Sequence, residues 1–143
     1  MTTEPNTPLV IAACLSALAA LLHIGIVIGG ATWYRFFGAG ERMASAAAAG
    51  RVYPAIVTLG IASVLALWSA YALSGAGIIE PLPWLKPALT AITGIYLVRG
   101  LAIVPLLTFA RSKSTPFLVW SSLVCTIYGA VHVLGLTQVW PHL

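Results

Sequence analysis

With 143 residues, 60% of them hydrophobic and only 7% charged, and a mean hydropathy of +1.00, the chain lacks the polar surface that a soluble domain of its length needs. It reads as an integral membrane protein. The formal net charge of +4 comes from basic residues scattered over short loops rather than gathered into a patch, which argues against nucleic acid as a partner and for a role in bilayer orientation.

Cys14 and Cys125 each sit inside an apolar run, without Cys-x-x-Cys spacing or a neighbouring base, and read as buried small hydrophobes. The leader MTTEPNTP carries Glu4 and no positive charge, so the first apolar run is kept as part of the mature protein and not read as a signal peptide. Residues 9–29 are long enough to cross the hydrocarbon core and contain no formally charged side chain. Pro8 suits the first turn of this span, Gly29 and Gly30 supply its exit, and Gly25 with Gly29 forms a GxxxG pair that permits close helix contact.

Residues 30–53 form the most polar connection, with Trp33, Tyr34, Phe36 and Phe37 placed around Arg35 as in an interfacial segment. After Gly38-Ala39-Gly40, residues 41–49 predict a short helix at the membrane surface, ended by Gly50. A second span covers residues 54–75 and a third 84–109, with Arg99 near the middle of the third and a kink expected at Pro105. A fourth covers residues 117–138, with Trp120 and Trp140 near its ends. The fold class is all-α: one transmembrane domain over residues 1–143, an up-down-up-down four-helix bundle with a short interfacial helix between spans one and two.

Arg35, Arg42, Arg51, Arg111 and Lys113 lie in the two loops on one side, against Lys86 alone on the other. The positive-inside rule therefore places loops 30–53 and 110–116 in the cytoplasm and both termini outside, in a multi-pass membrane protein.

Ser121, Cys125, Tyr128 and His132 recur at offsets of four, three and four, one stripe along a helix face. Ser16, Ala19 or Ala20, and His23 align on the first span, Thr58, Ala62 and Ser69 on the second, and Thr93, Tyr96, Arg99 and Gly100 on the third. These stripes are expected to face one another, because lipid-facing Arg, His and Tyr are costly at such depth. Arg99 needs an anionic partner, a carbonyl cage or a water-filled cavity. Glu41 and the carbonyl of Leu101, freed by Pro105, are the candidate acceptors.

His23 and His132 fall on opposite sides of the bilayer middle, about 13 Å apart in depth at the helical rise, which argues against both holding one haem iron. His23 and Arg99 share a half of the membrane with Glu41, Arg42, Trp33 and Tyr34. The expected ligand-binding set is Arg99, His23, Tyr96, Glu41, Trp33, Tyr34, Tyr128 and His132, and His23 and Glu41 are the candidates for acid or base work. No metal site is expected. There is no HExxH, phosphate loop, GxSxG elbow or acidic pair, which argues against metal-dependent hydrolysis and nucleotide-driven work.

At WYRFFGAGERMA and the following YPAIVTLGIA the chain resembles a group of small four-span inner-membrane proteins of bacteria. The resemblance covers essentially the whole chain and implies a four-span membrane protein. Its motifs imply no activity and carry over no catalytic residue. There is no match to haem-binding cytochromes or to small multidrug exporters, whose pattern has an acidic residue in the first span.

The residues favour a membrane protein that binds an anionic or amphipathic small molecule, such as a lipid, in a polar pocket within the bundle. They leave open an enzyme of isomerase or transferase type acting on that ligand, a haem-binding electron-transfer protein using His23 or His132, and a structural subunit that meets a second copy or another membrane protein. No cofactor is implied beyond the haem of that alternative.

Overall fold

The computed structural model describes residues 4–143, and every ordered element among them is helical. The elements are α1 (Thr7–Phe36), α2 (Glu41–Ala48), α3 (Tyr53–Gly75), α4 (Leu85–Leu101), α5 (Ile103–Phe109) and α6 (Pro116–Val139), with single 3-10 turns at Arg111–Lys113 and Trp140–His142. Four stretches are long and apolar enough to span a membrane: Thr7–Phe36, Tyr53–Gly75, Leu85–Phe109 and Pro116–His142. The third is α4 and α5 taken together. Its helix is interrupted at Ala102, three residues before Pro105, where the missing proline N–H leaves the Leu101 carbonyl without its usual donor. The position where the sequence predicts a kink is thus marked by a one-residue interruption, at which Ala102 keeps helical φ of −57° and ψ of −18°.

The chain forms two compact units, Met1–Leu15 with Trp68–Leu143 and Ser16–Leu67. In the first, Asn6 caps α1: its Oδ1 accepts the Leu9 N–H at 3.0 Å, and its Nδ2 donates to Gln138 Oε1 at 2.8 Å. Its backbone N–H donates to the Ala76 carbonyl, so one residue ties the start of α1 to the end of α3 and to α6. Ala12, Ala13 and Ala72 are packed almost free of exposure, with Leu73 and Val131 against them. The Ser69 hydroxyl donates to the Ala13 carbonyl at 2.8 Å, an interhelical bond that small side chains make reachable.

Partners of α4 and α6 fix how these two helices run. Lys86 donates to the Trp140 carbonyl, Tyr96 meets His132, a side chain at Gly129 would strike Leu97, one at Gly100 would strike Thr126, and Arg99 donates to Ser122. Numbers rise on α4 as they fall on α6, so the pair is antiparallel. The approach is closest at Gly100, where an added Cβ would lie 2.6 Å from the Thr126 backbone nitrogen. At the other end of α4, the Lys86 ammonium sits 4.1 Å from the centre of the Trp140 ring, a cation–π contact.

In Ser16–Leu67, α1 is bent at Gly30, whose φ of 64° and ψ of −152° are not helical. Beyond the bend the chain turns helically again through Trp33–Phe36, so the aromatic segment expected as an open loop is a turn of helix. The bend lets Trp33 fold its indole onto Gly29 and Gly25, where a side chain at either position would meet the ring. The GxxxG pair is therefore occupied by a tryptophan of the same helix. Tyr34, only 2% exposed, packs with Ile26 and Ala44, and its hydroxyl shares a 3.0 Å hydrogen bond with Thr58 Oγ1. The short helix expected over residues 41–49 forms as α2, and Gly50, at φ 70°, follows its end.

Candidate functional site

The residues expected to bind ligand fall into two sets, one in each unit. Tyr96, Arg99, Tyr128 and His132 lie in Met1–Leu15 with Trp68–Leu143, and the structure brings them together along α4 and α6. His23, Trp33, Tyr34 and Glu41 lie in Ser16–Leu67, and each has its own local partner.

Tyr96 is the hub of the first set. Its ring centre lies 5.0 Å from Trp68, 5.4 Å from Tyr128 and 5.1 Å from His132, with edge-on geometry to Trp68 and Tyr128. Quadrupoles favour this edge-to-face arrangement, and each such ring pair contributes about 0.5–1.5 kcal/mol beyond its buried area. The sequence places Tyr96, Tyr128 and His132 on facing stripes. It gives no reason to add Trp68, which reaches the cluster from α3.

His132 is fully buried. Its Nδ1 lies 2.9 Å from the Tyr128 carbonyl oxygen, and since a carbonyl only accepts, Nδ1 carries the proton. In the neutral ring Nε2 is then a lone-pair acceptor. That atom is buried without a hydrogen-bond partner among the described residues. An unmade bond at a buried acceptor costs about 1–3 kcal/mol, so Nε2 is the polar atom of this cluster most in need of a donor.

One turn along α4 from Tyr96, Arg99 reaches across to α6 and donates from Nη1 to Ser122 Oγ at 3.1 Å and from Nη2 to Ser121 Oγ at 2.9 Å. Ser122 is buried and Ser121 half-buried, while Arg99 itself is exposed. The inward face of α4 is Leu89, Ile92, Thr93, Tyr96 and Gly100, so Arg99 stands at the rim of the face where the sequence centred it. On α6 the buried face is Ser122, Gly129, His132, Gly135 and Leu136, which rotates the expected stripe by about one position and leaves Ser121, Cys125 and Tyr128 half-buried at its edge. Ser122 was therefore missed. The signal for it was Gly129, seven residues on and so on nearly the same side of α6, where α4 presses closest through Leu97.

Across the other unit, His23 Nδ1 is 2.7 Å from the Ala19 carbonyl oxygen, a bond to its own helix, and its ring is half-buried. Glu41 is paired with Arg35, Nη2 to Oε1 at 2.8 Å, with Nε to Oε2 at 3.1 Å completing a fork, and it also accepts from the Ser45 hydroxyl at 2.8 Å. These donors, the Arg35 bond first, hold the Glu41 carboxyl at about 2, well below the usual carboxylate range, so it is ionised throughout neutral pH. Arg35 and Ser45 occupy the carboxylate weighed at the sequence level as a partner for Arg99. The guanidinium of Arg99 instead has neutral hydroxyls, and the one ion pair among the described residues is Arg35 with Glu41.

Cys14 lies on an exposed face of α1 and not in the interior where the sequence put it, while Cys125 is half-buried one turn from Ser121 and Ser122. Among the described residues no three His, Cys, Asp or Glu side chains gather as metal ligands. What the α4–α6 seam offers chemically is recognition: a cation with spare N–H donors at its rim, two hydroxyls, and an aromatic cluster ending in a buried imidazole acceptor. Comparison of the chain with protein families, with curated proteins and with solved structures finds no match.

Proposed function

We propose that the protein is a multi-pass inner-membrane protein whose α4–α6 seam binds an anionic, amphipathic small molecule of the lipid class. The observation that carries this reading is the environment of Arg99. Arg99 lies about 3 Å from the middle of the Leu85–Phe109 stretch at the helical rise, exposed, and among the described residues its hydrogen bonds go to the neutral Ser121 and Ser122. A guanidinium at that depth costs at least about 2.5 kcal/mol on insertion scales, and hydroxyls orient it without neutralising it. A carboxylate or phosphate does both. Ile95, Val98 and Leu101 on α4 and Val119, Leu123 and Ile127 on α6 are exposed on either side of it, and offer an apolar surface for the tail of such a ligand.

The test is Arg99→Met, which keeps a side chain of similar length and removes the charge with its desolvation penalty. The variant is expected to fold, with stability within about 1 kcal/mol of the parent or above it, and to lose most of the thermal stabilisation that added lipid extract gives the parent in detergent. Equal stabilisation of variant and parent by lipid would remove Arg99 as the ligand contact.

The same reading gives an up-down-up-down path with loops 30–53 and 110–116 in the cytoplasm and both termini outside. The five basic residues of these loops, against Lys86 on the other side, support it. A reporter active only in the periplasm is expected to work when fused at Leu143 and to fail when inserted near Ala46. The opposite pattern reverses the orientation.

A further inference from the structure

The surface helix α2 has two unlike faces within the Ser16–Leu67 unit. Met43, Ala44 and Ala47 turn to Ile26, Tyr34 and Phe37, which fixes the helix on its own unit. On the other side Arg42, Ser45, Ala46 and Ala49, spaced as one helix face, line a cleft of about 470 Å³ together with Arg51 and Tyr53.

Arg51 is brought to the cleft by the way α2 ends. The Gly50 N–H donates to the Ala47 carbonyl and the Arg51 N–H to the Ala46 carbonyl, both at 3.0 Å, the paired bonds of a Schellman motif around a left-handed Gly50. This reverses the chain, and Arg51 and Tyr53 join Arg42 in the lining of the cleft. Ala46 and Ala49 add only methyl groups to that lining. The one carboxylate of the unit, Glu41, is already engaged by Arg35, and Arg42 and Arg51 line the cleft with no ion-pair partner among the described residues. Two forked cations with a phenol hydroxyl beside them match a tetrahedral oxyanion, for which arginine is the better-suited base.

We propose that this cleft binds the phosphate group of a phosphate ester, with Arg42 and Arg51 as its charged donors and Tyr53 as a neutral one. The site is separate from Arg99 and does not depend on the reading given for that residue. A phospholipid head group and a free phosphate share this chemistry, and the experiment tells them apart.

Binding is measured on the full chain in detergent by microscale thermophoresis, with short-chain phosphatidylglycerol and inorganic phosphate as separate probes. The parent is expected to bind at least one of them. In Arg42→Gln/Arg51→Gln the apparent Kd rises at least about tenfold, because two charge-assisted donors are lost. Arg111→Gln/Lys113→Gln removes the same charge elsewhere and leaves the Kd within about twofold of the parent, since only screened long-range attraction is lost. Phosphatidylglycerol bound much more tightly than inorganic phosphate marks a lipid head group as the ligand, and equal binding marks the phosphate alone; both support the site. Should the glutamine pair fail to fold, Arg42→Lys/Arg51→Lys carries the test, with a loss of at least about threefold expected from the missing forks. Equal loss in the two charge-removal variants, no loss in the pair that folds, or no binding of either probe by the parent overturns the proposal. Arg99→Met is expected to leave the loss caused by the arginine pair unchanged, so failure at one site is not read as failure at the other.

Discussion

Gly100→Ala is expected to push α4 off α6 and to lower stability by about 1–3 kcal/mol, a large effect for one added methyl group. A Cβ at Gly100 would strike Thr126 Oγ1 and lie 2.6 Å from the Thr126 backbone nitrogen and 2.9 Å from its Cα. Two of those three atoms are main chain. A flexible side chain could rotate away, but here the helices themselves must separate, and Arg99 with its bonds to Ser121 and Ser122 is next in sequence.

Helix propensity acts the other way, since alanine is favoured over glycine in a helix interior by up to about 1 kcal/mol. Gly94→Ala isolates that contribution, because a Cβ at Gly94 meets nothing within 4 Å on the same helix. Gly94→Ala should be neutral or stabilising while Gly100→Ala destabilises, both followed by unfolding in mixed micelles. Equal stability of the two variants would show that the close approach at Thr126 is not a feature of the protein.

Replacement of His132 by alanine is expected to be the costliest change in the aromatic cluster, at about 2–4 kcal/mol. The ring is fully buried and lies against Tyr96, so its removal leaves a cavity among groups that cannot all close on it. In a bilayer the loss falls on packing, because apolar side chains gain little from leaving lipid for protein. His132→Phe separates the ring from its nitrogens. It keeps the shape and removes the partnerless Nε2, at the cost of the Nδ1–H bond to a Tyr128 carbonyl that already accepts within its own helix. The two effects nearly cancel, and stability within about 1 kcal/mol of the parent is expected. Thermal unfolding of the three proteins in one detergent gives the comparison. A phenylalanine variant as weak as the alanine one would mean that Nε2 is used as an acceptor, which would extend the ligand site inward from Arg99 to His132.

Several features were legible because one residue type carries them. Pro105 forbids the hydrogen bond to Leu101, and the helix is interrupted at Ala102. Gly50 is free to take positive φ, and α2 ends there. The four apolar stretches follow from length and composition, which is why the all-helical, span-forming character was available from the chain alone.

What the sequence by itself determined was therefore the set of helices, their interruptions, and the residue types that need partners. Which partner each one takes was decided by the tertiary structure. Glu41 closes on Arg35, Arg99 on Ser121 and Ser122, Trp33 on its own Gly29, and Trp68 on Tyr96. In a soluble helix the contrast of polar and apolar sides reports which face is inside. In helices apolar enough to span a membrane, exposed and interior side chains are both apolar, so the pattern leaves the rotation of each helix open by about one residue, enough to exchange Ser121 for Ser122 as the buried hydroxyl. The rotation is fixed by close approach at small residues such as Gly100, Gly129 and Gly135, and that depends on which helix lies opposite, a property of the folded chain.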